Sequence, residues 1–233
     1  MHIELGVMLA GLLVGFIVGL TGMGGGALMT PILVLLFRIN PLAAVSSDIV
    51  AAVVMKPVGG GVHLRRGTVN LNLVRWLAIG SVPAAFCGVL VLRAIGAPEF
   101  ADRLRVLLGV VLLVAAAAII AKGVLQTRRP TGGGVHSIAV RPARTVLIGV
   151  IGGLVVGMTS VGSGSVMIVL LMLLYPALSS NELVGTDLVQ AIPLVLAAAI
   201  GHLFFGDLQL GLTASLLVGS VPGVYLGARI SSR

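Results

Sequence analysis

Two long apolar stretches in this chain are interrupted in the same way. The first runs from Leu5 to Phe37 and is cut by Thr21-Gly22-Met23-Gly24-Gly25-Gly26; the second runs from Val146 to Tyr175 and is cut by Thr159-Ser160-Val161-Gly162-Ser163-Gly164. Thr21, Gly24, Gly26 and Met29 reappear 138 positions later as Thr159, Gly162, Gly164 and Met167. With one residue inserted the correspondence continues: Asp48 maps to Asp187, His63 to His202 and Gly67 to Gly206, and Gly80-Ser81-Val82-Pro83 returns unchanged as Gly219-Ser220-Val221-Pro222. A glycine costs a helix interior about 1 kcal/mol, so clusters this dense open the helix. Unwound backbone within an apolar stretch survives in a bilayer only where it is buried in protein or lines a cavity. Two halves of this kind have the layout of a secondary transporter.

Composition supports the membrane reading. Apolar residues make up 58% of the chain and charged residues 9%, with only seven Asp and Glu, against roughly 25% charged in soluble domains. Too few charges remain to cover a surface facing water, and several stretches reach the roughly 20 residues needed to span a bilayer. The expected fold is an all-α polytopic membrane protein. The net charge of +8 is distributed over the ends of apolar segments, where topology signals lie, and forms no patch for nucleic acid. Cys87 is the sole cysteine, so no internal disulfide forms. Met1-His2-Ile3-Glu4 lacks a basic leader, and the first apolar segment reads as a retained part of the fold.

The chain divides into a first membrane repeat over 1–121, a hydrophilic linker over 122–144 and a second membrane repeat over 145–233. After its broken stretch, the first repeat has expected spans near Leu42–Leu64, Leu73–Leu92 and Val106–Ala121, with a charged connection from Arg93 to Arg105. The second repeat has spans near Leu183–Phe205 and Leu210–Ala228. It lacks a counterpart of the Val106–Ala121 span, which reads as a truncation after Arg233. If each broken stretch folds back as a hairpin, Arg65, Arg66, Lys122, Arg128, Arg129, Arg141, Arg144, Arg229 and Arg233 share one side. Only Arg38, Arg93, Arg103 and Arg105 lie opposite. A single crossing by each broken stretch nearly erases that bias. The positive-inside rule therefore favours hairpins, a cytoplasmic linker, an outside N-terminus and repeats of inverted topology.

An unwound segment leaves backbone N–H groups unpaired, and the short helix that follows presents its positive end to them. The candidate substrate-binding residues are Thr21, Gly22, Gly24, Gly25 and Gly26 in the first break, and Thr159, Ser160, Gly162, Ser163 and Gly164 in the second. Ser165 adds a hydroxyl. Close helix packing is the competing explanation for so many small residues. A Walker loop is excluded, because Ser163 stands where its lysine would be. Asp48 and Asp187 fit either N-terminal capping or a proton or cation site, since acidic groups are rare in spans. Gln190 lies one turn after Asp187. Lys56, within a span, fits either snorkelling to an interface or pairing with a substrate anion; Val195 stands at its register in the second half. His63 and His202 close their helices and fit dipole partners or interfacial anchors, with a proton relay as the alternative. No spacing suggests a metal, and no cofactor is implied.

The pairing of Gly19-Leu20-Thr21-Gly22-Met23-Gly24-Gly25-Gly26 with Val184-Gly185-Thr186-Asp187, the Gly-Ser-Val-Pro segments and the closing Gly227-Ala228-Arg229 resemble the sulfite exporter TauE/SafE family. The resemblance implies a multi-pass permease of the bacterial inner membrane for small sulfur-containing anions: sulfite, sulfonates, sulfoacetate or thiosulfate. It further implies a proton or other ion gradient as the driving force, the lipid bilayer as surroundings and room for a homo-oligomer. Rocking about the Gly-Ser-Val-Pro segments, taken as turns, would alternate access. An anion channel using the same breaks is the alternative. An intramembrane enzyme is disfavoured by the lack of a nucleophile–base pair, and a scaffold by the matched unpaired backbone.

Overall fold

The computed structural model describes residues 5–21, 25–94 and 138–231, with scattered positions between 106 and 124. Gly22, Gly24, most of the connection to Arg105 and residues 125–137 of the linker fall outside the described residues, as does much of the expected Val106–Ala121 span. The described elements are helical: α1 (Leu5–Thr21), a single 3-10 turn (Gly25–Ala27), α2 (Met29–Leu35), α3 (Pro41–Arg65), α4 (Leu71–Ala94), α5 (Pro142–Thr159), α6 (Val166–Leu174), α7 (Ser180–Phe205) and α8 (Leu210–Ser231). Five of them, α3, α4, α5, α7 and α8, are long and apolar enough to cross a membrane.

Each broken stretch doubles back on itself. The Phe37 ring, just past α2, stands 3.0 Å from where a side chain on Gly6 would begin, at the start of α1. Tyr175, just past α6, returns to the start of α5: its hydroxyl accepts from the Arg141 N–H at 2.8 Å and lies 2.6 Å from the Thr145 hydroxyl. The return helix α2 has seven residues and ends at Leu35. Arg38 takes a left-handed conformation (φ 53°), turning the chain toward Asn40 and Pro41. These two start α3, Asn40 as cap and Pro41 at the first helical position, where its missing N–H costs nothing.

The hairpins pack crosswise, each against a long helix of the other half, α1 on α8 and α5 on α4. Gly11, Gly15 and Gly19 of α1 lie on Leu216, Ser220 and Val224 of α8; Gly149, Gly153 and Gly157 of α5 lie on Leu77, Ser81 and Ala85 of α4. A Cβ on Gly15 would stand 2.5 Å from the Ser220 carbonyl oxygen, so the backbones touch as only small residues permit. The expectation of turns at Gly-Ser-Val-Pro is corrected here: both copies lie inside helices, α4 and α8. Gly80 meets the Val146 backbone and Gly219 the Met8 backbone, and a proline inside a bilayer helix is tolerated where neighbours support the backbone.

Between these pairs α3 and α7 cross antiparallel, with Ser46 beside His202 at one end and His63 beside Gly185 at the other. One apolar core gathers Ile49, Leu73, Leu77, Met167, Leu171 and Leu194; a second gathers Val14, Met29, Leu33, Met55, Leu216 and Val224. Outside, Leu5, Leu9 and Leu13 are exposed along α1, opposite its buried face of Val7, Gly11, Val14 and Val18. Such a stripe is a liability in water and suits hydrocarbon.

Candidate functional site

The buried polar groups collect where α3 meets the two breaks. Asp48 is the eighth residue of α3 and Asp187 the eighth of α7, both two turns inside their helices. The caps are other residues: Asn40 Oδ1 accepts from Leu42 N–H at 2.9 Å, and Ser179 and Glu182 form a reciprocal capping box. The capping explanation for Asp48 and Asp187 is thereby corrected. A carboxylate so deep in a helix has no orphan N–H of that helix to receive.

Asp48 instead ties elements together. Its carboxylate accepts from Ser160 Oγ at 2.7 Å and from Thr30 Oγ1, on α2, at 3.2 Å. A Cβ on Gly25 would lie 3.7 Å from Oδ1 of the same carboxylate, and one on Gly26 would collide with the Ser160 backbone. The two breaks therefore meet, with Asp48 beneath both.

Lys56 follows Asp48 by eight residues, slightly over two turns, and so projects from the same side of α3. Its ammonium donates to Ser163 Oγ at 3.1 Å and lies within the fields of Asp187 and Asp48. At 3% exposed Lys56 does not snorkel to an interface; it delivers a positive charge to the second break. That break is shaped by left-handed backbone at Ser160 (φ 60°), Gly162 (φ 127°) and Gly164 (φ 81°). Such a run of turns aims N–H groups inward. It leads directly into α6, whose cap position is Ser165. Ser165 Oγ is buried without a hydrogen-bond partner, which costs about 1–3 kcal/mol unless something fills the place.

The remaining candidates are engaged in different ways. Thr21 Oγ1 donates to the Ile17 carbonyl and Thr159 Oγ1 to the Val155 carbonyl, both at 2.7 Å. In this conformation those hydroxyl hydrogens serve the ends of α1 and α5 rather than the space between the breaks. Gln190 accepts from Ser81 Oγ at 3.2 Å and donates to Met167 Sδ at 3.1 Å, joining α7 to α4 and α6. His202 links three elements: Nδ1 lies 3.0 Å from Ser46 Oγ and Nε2 2.9 Å from the Gly157 carbonyl. His63 Nδ1 lies 2.8 Å from Thr68 Oγ1, while its Nε2 is buried without a partner. Neither ring is an interfacial anchor, because both are fully buried.

Thr30, Ser46, Ser81 and Tyr175 escaped the sequence reading. Ser81 sits in the segment repeated at Ser220, and Tyr175 stands 138 positions after Phe37; duplication was the available signal for both. Thr30 and Ser46 carried none beyond being polar in an apolar run.

Comparison with known proteins agrees with this architecture. The family described as "Sulfite exporter TauE/SafE" matches residues 7–233. The probable membrane transporter protein YjnA of Bacillus subtilis (strain 168) is 40% identical over 232 residues, covering 97% of this chain and 90% of that protein. The probable membrane transporter protein YdhB of the same organism is 27% identical over 229 residues, 97% of this chain and 89% of its own length. No solved structure matches the chain. Five apolar helices of spanning length, a family match over nearly every residue and a 40%-identical relative described as a transporter lead to one assignment: the chain belongs to the sulfite exporter TauE/SafE family of multi-pass membrane transporters.

Proposed function

We propose that the chain is a secondary-active permease of the bacterial inner membrane for small sulfur-containing anions of the sulfite, sulfonate, sulfoacetate or thiosulfate class. Two inverted repeats, 1–121 and 145–233, would enclose one anion between the two breaks. The observation that carries this reading is the placement of Lys56 Nζ on Ser163, at the start of α6 and close in sequence to the unpartnered Ser165 hydroxyl. A positive side chain, glycine-shaped backbone and spare hydroxyl form a cradle for a pyramidal or tetrahedral oxyanion. The antiparallel crossing of α3 with its counterpart α7 supports the inverted arrangement, since a pseudo-twofold along the membrane normal would leave the two helices parallel. With the Gly-Ser-Val-Pro segments inside helices, access would alternate by movement of each hairpin, with its partner helix, about the α3–α7 crossing. The burial of Asp48, Lys56 and Ser163 favours a gated permease over a continuous channel.

Purified protein in proteoliposomes, screened for uptake of sulfite, thiosulfate, sulfoacetate and taurine, tests the reading. Lys56→Gln should insert normally and lose most of the anion flux. Undiminished flux in that variant would remove the cradle from the mechanism.

A further inference from the structure

If Lys56 is the anion's charge partner, the charges around it set how many protons travel with that anion. Among the described residues, the buried ionisable side chains are Asp48, Lys56 and His63 on α3, Tyr175 just past α6, and Glu182, Asp187 and His202 on α7. The Tyr175 hydroxyl is engaged by the Arg141 N–H and the Thr145 hydroxyl. Glu182 is committed to the capping box. His202 is held at both nitrogens by Ser46 and Gly157. His63 bonds Thr68 at the far end of α3. Among the described side chains the packed neighbours supply no other buried charge: α1, α2 and α6 carry no ionisable residue, and Arg75 and Cys87 of α4, Arg144 of α5 and Tyr225 and Arg229 of α8 are exposed. The central group is therefore Asp48, Lys56 and Asp187, each at most 3% exposed, with Lys56 in the field of both carboxylates.

Fully ionised, that group carries one net negative charge. An uncompensated buried charge costs several kcal/mol, so a closed, empty site is favoured with one proton on the carboxylate pair. Adding a singly charged anion restores the imbalance, and a second proton on the other carboxylate cancels it. Lys56 then balances the anion alone. A doubly charged anion leaves one negative charge even with both carboxylates protonated, and among the described residues the other buried carboxylate, Glu182, is held in the capping box.

We propose that this permease carries singly charged anions, such as hydrogen sulfite and alkanesulfonates, each together with one proton held by Asp48 or Asp187, and rejects permanent dianions such as sulfate. This rests on the anion-permease reading and narrows its substrate class. The proton binds a carboxylate from the side where the anion enters and leaves with it on the other side, so no net charge crosses.

The test uses the full chain in proteoliposomes with a lumenal pH dye, the membrane potential clamped by potassium and valinomycin, and methanesulfonate and sulfate as probes. Methanesulfonate is the anion of a strong acid and does not leak across lipid in protonated form. Its steady-state accumulation should rise about tenfold per unit of pH gradient, with one proton entering per anion, and stay unchanged by potential. A carrier moving the bare anion would instead respond to 100 mV by about fifty-fold, the equivalent of about 2.3 kcal/mol. Sulfate should not be carried. Potential-driven accumulation, or sulfate flux matching that of methanesulfonate, would overturn the proposal while leaving an anion permease standing. If no anion of either probe or of the sulfur-compound screen moves, the permease reading itself fails. The double variant Asp48→Asn with Asp187→Asn keeps Lys56 alone and should make transport proton-independent and potential-driven. Retained proton movement in that variant overturns the proposal, and the wild-type measurement decides the matter if the variant does not insert.

Discussion

Lys56 departs from the correspondence between the two halves. Its counterpart Val195 is buried in the apolar core, whereas Lys56 bonds Ser163 in the opposite half's break. The proposed anion cradle is therefore one-sided: Ser163 and Ser165 stand where the first break has Gly25 and Ala27. Removing a hydrogen bond to a charged group costs about 1.5–3 kcal/mol. Lys56→Gln should accordingly raise the half-saturating anion concentration by about tenfold to a hundredfold, read from uptake against substrate concentration. Ser163→Ala keeps the ammonium and should weaken uptake about tenfold at most, since a neutral donor contributes about 0.5–1.5 kcal/mol. Equal losses in the two variants would mean that Lys56 acts only through Ser163. The lysine and the serine were both legible in the sequence, but their meeting was not. They lie 107 residues apart, and helical periodicity reports which face is polar without saying what that face meets. For the same reason Asp187 could be read as a cap, although Ser179 and Glu182 at the start of the same helix carried the spacing of a real capping box.

At the scale of elements, glycine does two jobs that composition alone does not separate. Gly25 and Gly26 in the first break and Gly162 and Gly164 in the second lie between helices, while glycines spaced by four in α1 and α5 lie along helix crossings. Density distinguished the first kind, and the breaks were legible for that reason. The Gly-Ser-Val-Pro segments fell between the two kinds and were read as turns, because glycine and proline usually end helices in water. In α4 and α8 the neighbouring helix supports the backbone instead. Two substitutions separate these roles. Gly153→Leu drives a side chain into the Ser81 backbone and should destabilise the protein by about 3 kcal/mol or more, lowering its thermal midpoint in detergent. Gly61 faces open space within α3, so Gly61→Ala should leave stability unchanged or raise it by up to about 1 kcal/mol. A midpoint unaffected by Gly153→Leu would show that the α4–α5 crossing is looser than its backbone contacts indicate.

At the scale of the whole molecule, the halves are interlocked rather than merely adjoining. The first hairpin rests on α8 from the second half, and the second hairpin rests on α4 from the first. Asp48 further ties α3 to Ser160, and Ser46 ties it to His202. Separating the halves would strip both glycine-lined crossings and cost Asp48 its bond to Ser160, Lys56 its bond to Ser163 and His202 its contact with Ser46. Each missing buried partner costs about 1–3 kcal/mol, more where a charge is involved, a large share of the roughly 5–15 kcal/mol that holds a typical soluble domain together. Covalent continuity between the halves should then matter little once they have folded. A protease site inserted within residues 125–137 and cut after purification should yield two fragments that co-elute in mild detergent and retain anion uptake near the uncut level. Either half expressed alone should be degraded or aggregate, and co-expression should rescue both. Fragments that part on cutting would place the stability within each half, and the crosswise contacts would then be too weak to carry movement of the hairpins from one access state to the other.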